Sequence, residues 1–431
     1  MAKYKAYPEY EDSGIEWLGL VPKSWTIFRL KNMATIKNGQ DYKFVQADDG
    51  YPVMGSGGQF TFSSKFMYDK PSVLLGRKGT IDKPLYINEP FWTVDTMYYT
   101  ELKKDVDAKY LYYLALTIQF SRYSTNTALP SMTQEHLSNY KFSVPRSESE
   151  RKKITEFLDH EIAKIDDLID KQQQLIDLLK EKRQAVISLA VTKGLNPDVP
   201  MKDSGVEWLG EVPEHWEVKK LKHVAYIIDC KNRTPEYFDD GEYLVVRTTN
   251  VKKQSLVLDG ALYTNERDYK IWTERGVPPV GSIFFTREAP AGEVCMVPAF
   301  TKLCMGQRMM NFICHQSDYT NFLFDYLTSD CLKRYIESEA AGSTVSHLRV
   351  EQVYNIPIVA PPNLEQKNIN EMVGIIKTQY SRLIDDAECS LVLLQERRTA
   401  LISAAVTGKI DVREWVAPDR QDVEESQEAT I

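Results

Sequence analysis

Long apolar runs are absent from this 431-residue sequence. No uncharged apolar stretch approaches the roughly 20 residues of a membrane-spanning helix, and the opening MAKYKAYPEYED lacks the apolar segment of a signal peptide. Cysteine is scarce too: the six cysteines form no CxxC pair and all lie in the second half of the chain. This spacing argues against a disulfide framework or a zinc site, so we expect free thiols and a cytoplasmic location.

The signatures of common catalytic and nucleotide-binding sites are also missing. The glycine run Gly55–Gly58 is not followed by the GK[ST] of a phosphate-binding loop and predicts an ordinary turn. The six histidines form no HExxH pair, and there is no G-x-S-x-G, no dinucleotide fingerprint and no Asn/Asp-Pro-Pro-Tyr run. We therefore expect a reader of a ligand with no catalytic residue, no metal and no cofactor of its own.

An excess of positive charge is lacking as well, since the formal net charge is −8. Such a chain is not a nonspecific coat for DNA. The charge is unevenly spread: residues 26–146 carry 15 basic and 11 acidic side chains, whereas residues 217–360 carry 17 and 18. Local basic patches therefore remain compatible with the acidic total.

What the chain does contain is a sequence written twice. Residues 12–34 read DSGIEWLGLVPKSWTIFRLKNMA and residues 203–225 read DSGVEWLGEVPEHWEVKKLKHVA, with 13 of 23 positions identical. A second repeat pairs LKEKRQAVISLAVT, which begins at Leu179, with LQERRTALISAAVT, which begins at Leu394. The order of motif, variable segment and helix therefore occurs twice. We expect two similar halves related by a pseudo-two-fold axis, and a target that is itself in two parts.

Each half ends in a long segment with helical periodicity. Apolar residues recur at steps of three and four from Ile154 to Val186 and again from Ile369 to Leu401. Each helix would carry one apolar stripe, which must be covered. The simplest cover is the other helix, which predicts an antiparallel coiled coil.

The predicted fold class is α+β, with two mixed α/β domains joined by the coiled coil. In the first variable segment, strands are expected at Ser72–Gly76, Leu85–Ile87 and Trp92–Thr100, with a helix at Asp107–Phe120. The second segment predicts strands at Tyr243–Thr249, Ser282–Thr286, Glu293–Val297 and Met309–Cys314, followed by a helix at Tyr319–Glu337. Both segments are expected to end in a short strand, at Phe142–Val144 and Ile356–Ala360. The predicted boundaries are domain one 1–146, first long helix 147–192, linker 193–202, domain two 203–361, second long helix 362–410 and a disordered acidic tail 411–431.

Polar loops at strand ends are the best candidates for ligand contacts. Arginine can grip guanine with two hydrogen bonds, glutamine or asparagine can grip adenine, and glycines let a backbone approach a phosphate. The alternative is that these are ordinary polar turns. The tryptophans of the repeated motif, Trp17, Trp25, Trp208 and Trp216, are better explained as packing anchors than as base-stacking platforms. The candidate contacts are Arg77, Lys78, Thr80, Arg247, Asn250, Arg287, Gln307 and Arg308.

Taken together, these patterns closely resemble the specificity subunit of a Type I restriction-modification system. The resemblance rests on the doubled S-G-x-E-W-L-G-x-V-P-x-x-W and on the two long helices that end in ISLAVTKG and ISAAVTGKID. Within the variable segments, GRKGTIDKPLYINEPFWTVDTMYY (76–99) resembles one class of target-recognition domain, and FFTREAPAGEVCMVP with LCMGQRMMNF (284–298, 303–312) resembles another. The likeness extends over about residues 7 to 413.

The resemblance implies a non-enzymatic reader of double-stranded DNA. Each domain would read one half of a two-part site, and the coiled coil would set the gap between the halves. Two adenine-N6 methyltransferase subunits that use S-adenosylmethionine, and two restriction subunits that use ATP and Mg²⁺, would be its partners. The alternative, which the acidic total favours, is a coiled-coil scaffold that bridges two protein partners without sequence-specific DNA binding.

Overall fold

A computed structural model of the chain describes residues 4–123, 130–288, 290–299, 302–339 and 347–417. The chain divides into two units, residues 1–173 together with 389–431, and residues 174–388. Within the described ranges, no helix is both long and apolar enough to cross a membrane.

The first unit contains the following strands: β1 (Tyr10–Asp12), β2 (Leu20–Pro22), β3 (Trp25–Arg29), β4 (Ala34–Asn38), β5 (Gln46–Ala47), β6 (Tyr51–Gly55), β7 (Gly58–Ser63), β8 (Ser72–Gly76), β9 (Leu85–Ile87), β10 (Trp92–Thr93), β11 (Met97–Leu102) and β12 (Lys141–Pro145). Its helices are α1 (Leu30–Met33), α2 (Ala108–Ala115), α3 (Gln134–Asn139) and the first part of α4 (Glu148–Lys193).

The second unit contains the strands β13 (Met201–Asp203), β14 (Glu211–Pro213), β15 (Glu217–Lys220), β16 (Ala225–Asp229), β17 (Tyr243–Val246), β18 (Val251–Lys252), β19 (Ser255–Leu256), β20 (Leu262–Thr264), β21 (Ile283–Thr286), β22 (Val294–Met296), β23 (Leu303–Met305), β24 (Met309–Cys314) and β25 (Pro357–Ala360). Its helices are α5 (Glu266–Trp272), α6 (Tyr319–Leu327), α7 (Asp330–Glu339), α8 (Val350–Tyr354) and the first part of α9 (Asn363–Val406).

Both units are built around a four-stranded antiparallel sheet of the same topology. Its order is β4-β11-β8-β9 in the first unit and β16-β24-β21-β22 in the second. The strands β8 (SVLLG) and β21 (IFFT) are buried at every position, as continuous apolar strands covered on both faces should be. The two variable segments thus share a backbone plan although their letters differ.

A smaller sheet in each unit contains one parallel pair. In the first unit β10 pairs in parallel with β6, and in the second β23 pairs in parallel with β17. The predicted strand Trp92–Thr100 is therefore wrong as a single element: β10 ends at Thr93 and β11 begins at Met97 in the other sheet. The chain turns between them because Met97 N–H donates to Val94 O (3.0 Å) and Val94 N–H donates to Met54 O (3.1 Å).

Two predicted helices are shorter than the sequence pattern indicates. The predicted helix Tyr319–Glu337 is divided into α6 and α7, because the Ser329 hydroxyl accepts a hydrogen bond from Cys331 N–H and starts a new helix. The predicted helix Asp107–Phe120 ends at Ala115. Its N-cap is Asp107, whose side chain accepts from Tyr110 N–H at 2.8 Å.

In each unit the start of one long helix packs with the end of the other. The first unit buries Ile154 and Leu158 of α4 in one core with Ile402 and Ala405 of α9, and Asp166 pairs with Arg398 at 2.7 Å. The second unit buries Ile187 and Val191 of α4 with Ile369 and Val373 of α9. This arrangement places the two helices antiparallel within each unit.

The repeated tryptophans anchor these helix ends. Trp25 is 2% exposed and donates from Nε1 to Glu150 at the start of α4 (2.9 Å), while its ring lies against Gly408, just past the end of α9. Trp216 is fully buried and donates in the same way to Glu365 at the start of α9 (3.0 Å). Burying these indoles with their N–H satisfied is what favours tryptophan here. The role predicted for them as packing anchors fits these contacts.

The segment that follows α9 corrects the prediction of a disordered tail from residue 411. Val412 is buried, Asp411 N–H donates to Lys5 O (2.8 Å), and the Trp415 ring packs edge-on against Phe157 (5.5 Å). The composition is acidic, but two apolar residues provide enough surface to hold residues 411–415 on the first unit. Residues 418–431 lie outside the described part of the chain.

Candidate nucleic-acid interface

In the first unit, the predicted contact residues Arg77, Lys78 and Thr80 lie on the loop between β8 and β9. Lys78 and Thr80 are exposed, and Arg77 is half-buried with its guanidinium 5.9 Å from the centre of the Tyr98 ring. Arg77 Nη1 also donates to Asp95 O at 3.3 Å. The loop therefore presents two exposed polar side chains and one half-buried arginine whose guanidinium is held by the Asp95 carbonyl.

The glycine turn predicted at Gly55–Gly58 connects β6 and β7 and lies beside this loop. A Cβ built on Gly79 would lie 3.7 Å from Ser56 Oγ. The turn also lines a groove of about 490 Å³ with Gln59, Phe60 and the 94–96 turn. Phe60 is 53% exposed although it is aromatic. The sequence alone indicated a turn and nothing about its position next to the Arg77 loop.

In the second unit, Arg287 occupies the position that Arg77 occupies in the first. Arg77 N–H donates to Thr96 O at 2.8 Å, and Arg287 N–H donates to Arg308 O at 2.8 Å. Both arginines directly follow the central buried strand of the sheet. In both units their carbonyl oxygen accepts a main-chain hydrogen bond, from Met132 (2.9 Å) and from Leu348 (3.0 Å). The two loops thus share these main-chain hydrogen bonds at Arg77 and Arg287 and differ in the neighbouring side chains.

A line of three charged side chains extends from Arg287 toward solvent. Glu288 Oε2 lies 3.0 Å from Arg308 Nε, and Glu288 Oε1 lies 3.8 Å from Arg287 Nη2. The side-chain exposure is 12% for Arg287, 28% for Glu288 and 51% for Arg308. Arg308 also has a left-handed backbone with φ of +66°, which is uncommon outside glycine and concentrates at functional sites.

Gln307 has a structural partner that the sequence did not reveal. With its amide oxygen turned toward the 230–234 loop, it accepts from Thr234 N–H (3.2 Å) and Arg233 N–H (3.3 Å). The same loop carries Lys231, and Arg275 lies beside it in a basic groove of about 430 Å³. Lys231, Arg233 and Arg275 were missed by the sequence analysis. The strand-end rule that selected Arg77 would have selected Lys231 and Arg233 too, because they lie two and four residues after the end of β16 at Asp229.

Asn250 is corrected by the structure, because it cannot reach a ligand. It is fully buried, its Oδ1 accepts from Arg247 N–H (3.1 Å), and its Nδ2 donates to Val257 O (3.0 Å). These bonds fold the turn after β17. Arg247 itself is half-buried and donates from Nη2 to Gly260 O (2.7 Å), so it supports the turn as well.

Burial and nearby positive charges act in opposite directions on the pKa of Asp229. Burial raises the pKa of Asp229 above its ordinary value, and the positive charges of Arg287 and Arg275 oppose that rise. Arg287 Nε and Arg247 Nε are both buried without a hydrogen-bond partner among the described residues. Buried donors without a hydrogen-bond partner are costly and uncommon in folded proteins.

The histidines do not form a metal centre in the described part of the chain. His215, His223 and His315 line one cavity of about 320 Å³, and His215 Nε2 lies 2.7 Å from Glu365 Oε2. Among the residues the structure describes, no group of three or more His, Cys, Asp or Glu side chains is arranged to hold a metal ion. Cys295 and Cys304 are buried, and burial raises the pKa of each thiol to about 12.

The chain is similar to known proteins both in sequence and in fold. Residues 22–178 and 213–378, about three-quarters of the chain, match the family described as "Type I restriction modification DNA specificity domain". The chain is 24% identical over 425 residues to the type I restriction enzyme MjaVIII specificity subunit of Methanocaldococcus jannaschii, covering 94% of this chain and 97% of that one.

Two further matches differ in extent. The chain is 25% identical over 225 residues to the MjaX specificity subunit of the same archaeon, whose own assignment to a type I restriction enzyme is provisional. That match covers 52% of this chain and about half (49%) of the relative's length. A chain from a structural study of assembly and conformational transition of the type I R-M system superposes with a TM-score of 0.59 and 15% identity, covering 90% of this chain and 99% of that one, which is a likeness of fold.

Proposed function

Because the chain belongs to the Type I restriction-modification DNA specificity family, we propose that each of its two variable domains reads one half of a two-part DNA site. Proteins of this family are non-catalytic recognition subunits, so the chain is not an enzyme by itself. We propose further that it binds no cofactor. S-adenosylmethionine would be used by partner methyltransferase subunits, and ATP with Mg²⁺ by partner restriction subunits.

The observation that carries the proposal is the pair of equivalent strand-end loops. Arg77 and Arg287 share a backbone position and two main-chain hydrogen bonds, while the side chains beside them differ: Lys78 in one unit stands where Glu288 stands in the other. A shared frame with different polar side chains is what two readers of different sequences need. The proposed contact residues are Arg77, Lys78, Thr80, Arg287 and Arg308, with the basic loop Lys231–Arg233 and Arg275 added from the structure.

We propose that α4 and α9 form an antiparallel coiled coil, with pseudo-two-fold symmetry between the halves, that fixes the gap in the DNA site. The antiparallel packing of the helix ends within each unit supports this. So does the use of Trp25 in one unit and Trp216 in the other for the same anchoring contact. Half-sites read from one face of the duplex would be about one helical turn, roughly 34 Å, apart.

The partners proposed for the long helices are two adenine-N6 methyltransferase subunits and two restriction subunits. Several large apolar side chains of α4 remain exposed: Leu168 (47%), Leu175 (44%) and Leu178 (61%). Exposed apolar residues along a helix favour a protein interface. The acidic total of the chain implies that part of the positive charge facing DNA comes from these partners.

The proposal is tested by mapping adenine methylation in cells that express this chain with the methyltransferase of the same system, against that methyltransferase alone. We expect a new two-part motif with a fixed gap. Replacing residues 26–146 with the variable segment of another specificity subunit should change one half of the motif and leave the other intact. A change in both halves, or in neither, would contradict the proposal that each domain reads one half of the site. A stable complex that gives no new methylation and protects no DNA would favour the alternative, a coiled-coil scaffold that bridges two protein partners.

A further inference from the structure

We infer that Arg308 is the guanine-reading residue of the second domain and that Glu288 is the positioning residue that aims it. This inference rests on the proposed function and deepens it, because it names the base class and the residue pair. It starts from the ion pair between Glu288 Oε2 and Arg308 Nε at 3.0 Å.

The ion pair between Glu288 and Arg308 leaves the two terminal nitrogens of the Arg308 guanidinium available to a ligand. Glu288 approaches the guanidinium on its Nε side, and it is the one ion-pair partner of Arg308 among the residues that the structure describes. The two terminal nitrogens, Nη1 and Nη2, are the donors that meet O6 and N7 of guanine in an end-on contact. The Arg308 side chain, at 51% exposure, can extend further into a groove than the Arg287 side chain, at 12%.

The backbone around Arg308 is fixed in a way that supports a reading role. Its φ of +66° is strained for an arginine, and its carbonyl oxygen is held by Arg287 N–H at 2.8 Å. The preceding Gln307 is tied to the 230–234 loop through Thr234 N–H. A flexible side chain loses entropy when it binds, so holding its backbone and Nε beforehand reduces that cost.

The equivalent positions in the first unit show that this pair is a variable feature of the fold. By the shared hydrogen bonds of the two loops, Glu288 corresponds to Lys78 and Arg308 corresponds to Thr96. The supporting arginine, Arg77 or Arg287, is common to both. A residue that defines one half-site should differ between the domains, and the Glu288–Arg308 pair does.

Glu288 has a second role in selectivity. Without a nearby carboxylate, an exposed arginine can turn toward a phosphate, where it contributes affinity and no sequence information. The Glu288 carboxylate repels a phosphate and holds the guanidinium in one orientation. Removing Glu288 should therefore weaken discrimination between bases more than it weakens DNA binding.

The test compares methylation motifs for the wild-type chain, Arg308→Ala, Arg308→Lys and Glu288→Gln, each co-expressed with the methyltransferase of the same system. Lys219→Ala is the surface control, because Lys219 pairs with Glu217 (2.6 Å) and lies on β15, which belongs to a different sheet from β21 and β24. In the wild type we expect a required guanine in the half-site assigned to residues 203–361 by domain exchange. Arg308→Ala should make that one position degenerate, Arg308→Lys should keep part of the guanine preference because lysine can also donate to O6 and N7, and Lys219→Ala should leave the motif unchanged.

Binding of the assembled methyltransferase complex to oligonucleotides quantifies the effect. Replacing the guanine should weaken wild-type binding about 5- to 140-fold, and Arg308→Ala should abolish that discrimination. Glu288→Gln should reduce the discrimination while keeping affinity for the wild-type site within a few-fold. Full guanine discrimination in Arg308→Ala would overturn the inference while leaving the proposed function intact. If Arg308→Ala abolished all binding, undiminished discrimination in Glu288→Gln would overturn it. A wild-type chain that directs no two-part motif would instead refute the proposed function.

Discussion

Gly408 is a position in the first unit where a single added methyl group should be costly. It follows α9 with φ of +75° and closes a Schellman motif, in which Lys409 N–H donates to Ala404 O (2.8 Å) and Gly408 N–H donates to Ala405 O (3.3 Å). A Cβ at this position would lie 2.4 Å from Pro22 Cγ and 3.2 Å from the Trp25 ring. The proline ring is rigid, so the contact cannot be relieved by rotating a side chain.

The magnitude follows from two additive terms. An alanine in the left-handed region costs about 1–2 kcal/mol, and forcing a methyl group into a packed site costs about 1–3 kcal/mol. Gly408→Ala should therefore lower the free energy of unfolding of the first unit by about 2–5 kcal/mol.

The chain supplies its own controls. Gly194 follows α4 with φ of +79°, but its Cβ would meet the end of the flexible Glu365 side chain at 3.1 Å and the Trp216 ring at 3.3 Å, so Gly194→Ala should cost the second unit mainly the conformational term. Gly374 lies inside α9 with nothing within 4 Å, and Gly374→Ala should stabilise by about 0.5–1 kcal/mol. Urea unfolding followed by circular dichroism and tryptophan fluorescence measures all three. A loss for Gly408→Ala no larger than that for Gly194→Ala would refute the steric argument.

Two other positions give independent predictions. Asn250→Ala should destabilise the second unit by about 1–3 kcal/mol, because Arg247 N–H and Val257 O lose their partner, and should leave the methylation motif unchanged; an altered motif in a fully stable variant would restore Asn250 as a DNA contact. The hydrogen bond from Arg413 lowers the pKa of Asp411, so its stabilisation is present above the ordinary value of 3.8 and is lost as the pH falls through the lowered value. When the pH is lowered from 7 to 3, the free energy of unfolding should therefore fall less in Asp411→Asn than in the wild type. An equal fall in the two proteins would contradict the stabilising role of the Asp411–Arg413 pair.

The parts of the fold that the sequence predicts well are those governed by local periodicity. The two long helices follow from repeated apolar spacing, and they are observed at Glu148–Lys193 and Asn363–Val406. The central buried strands followed from short apolar runs between turns. The break between Thr93 and Met97 could not be predicted, because it depends on Val94 bonding to a strand 40 residues earlier.

In the candidate site, too, local sequence predicts some features, whereas others depend on contacts between distant parts of the chain. A rule that selects cations after buried strands placed Arg77 and Arg287 correctly at strand ends, because strand ends can be predicted from the local sequence; their contact with DNA stays a prediction. It selected Asn250 wrongly, because an asparagine that closes a turn and one that contacts a base look alike in a sequence. Glu288 was overlooked, since its importance depends on Arg308, which lies 20 residues later and approaches it only through the sheet.

The first unit is assembled from two distant stretches of chain, and this has a consequence for synthesis. Residues 174–388 form the second unit as one continuous stretch, whereas the core of the first unit includes Leu401, Ile402 and Val412. On the ribosome, the second unit can therefore finish folding while the first still waits for its last residues. A premature stop near residue 390 would therefore leave the core of the first unit incomplete, although most of that unit is encoded at the start of the gene. Such a truncation should leave the later-made domain folded and the earlier-made domain exposed to proteolysis.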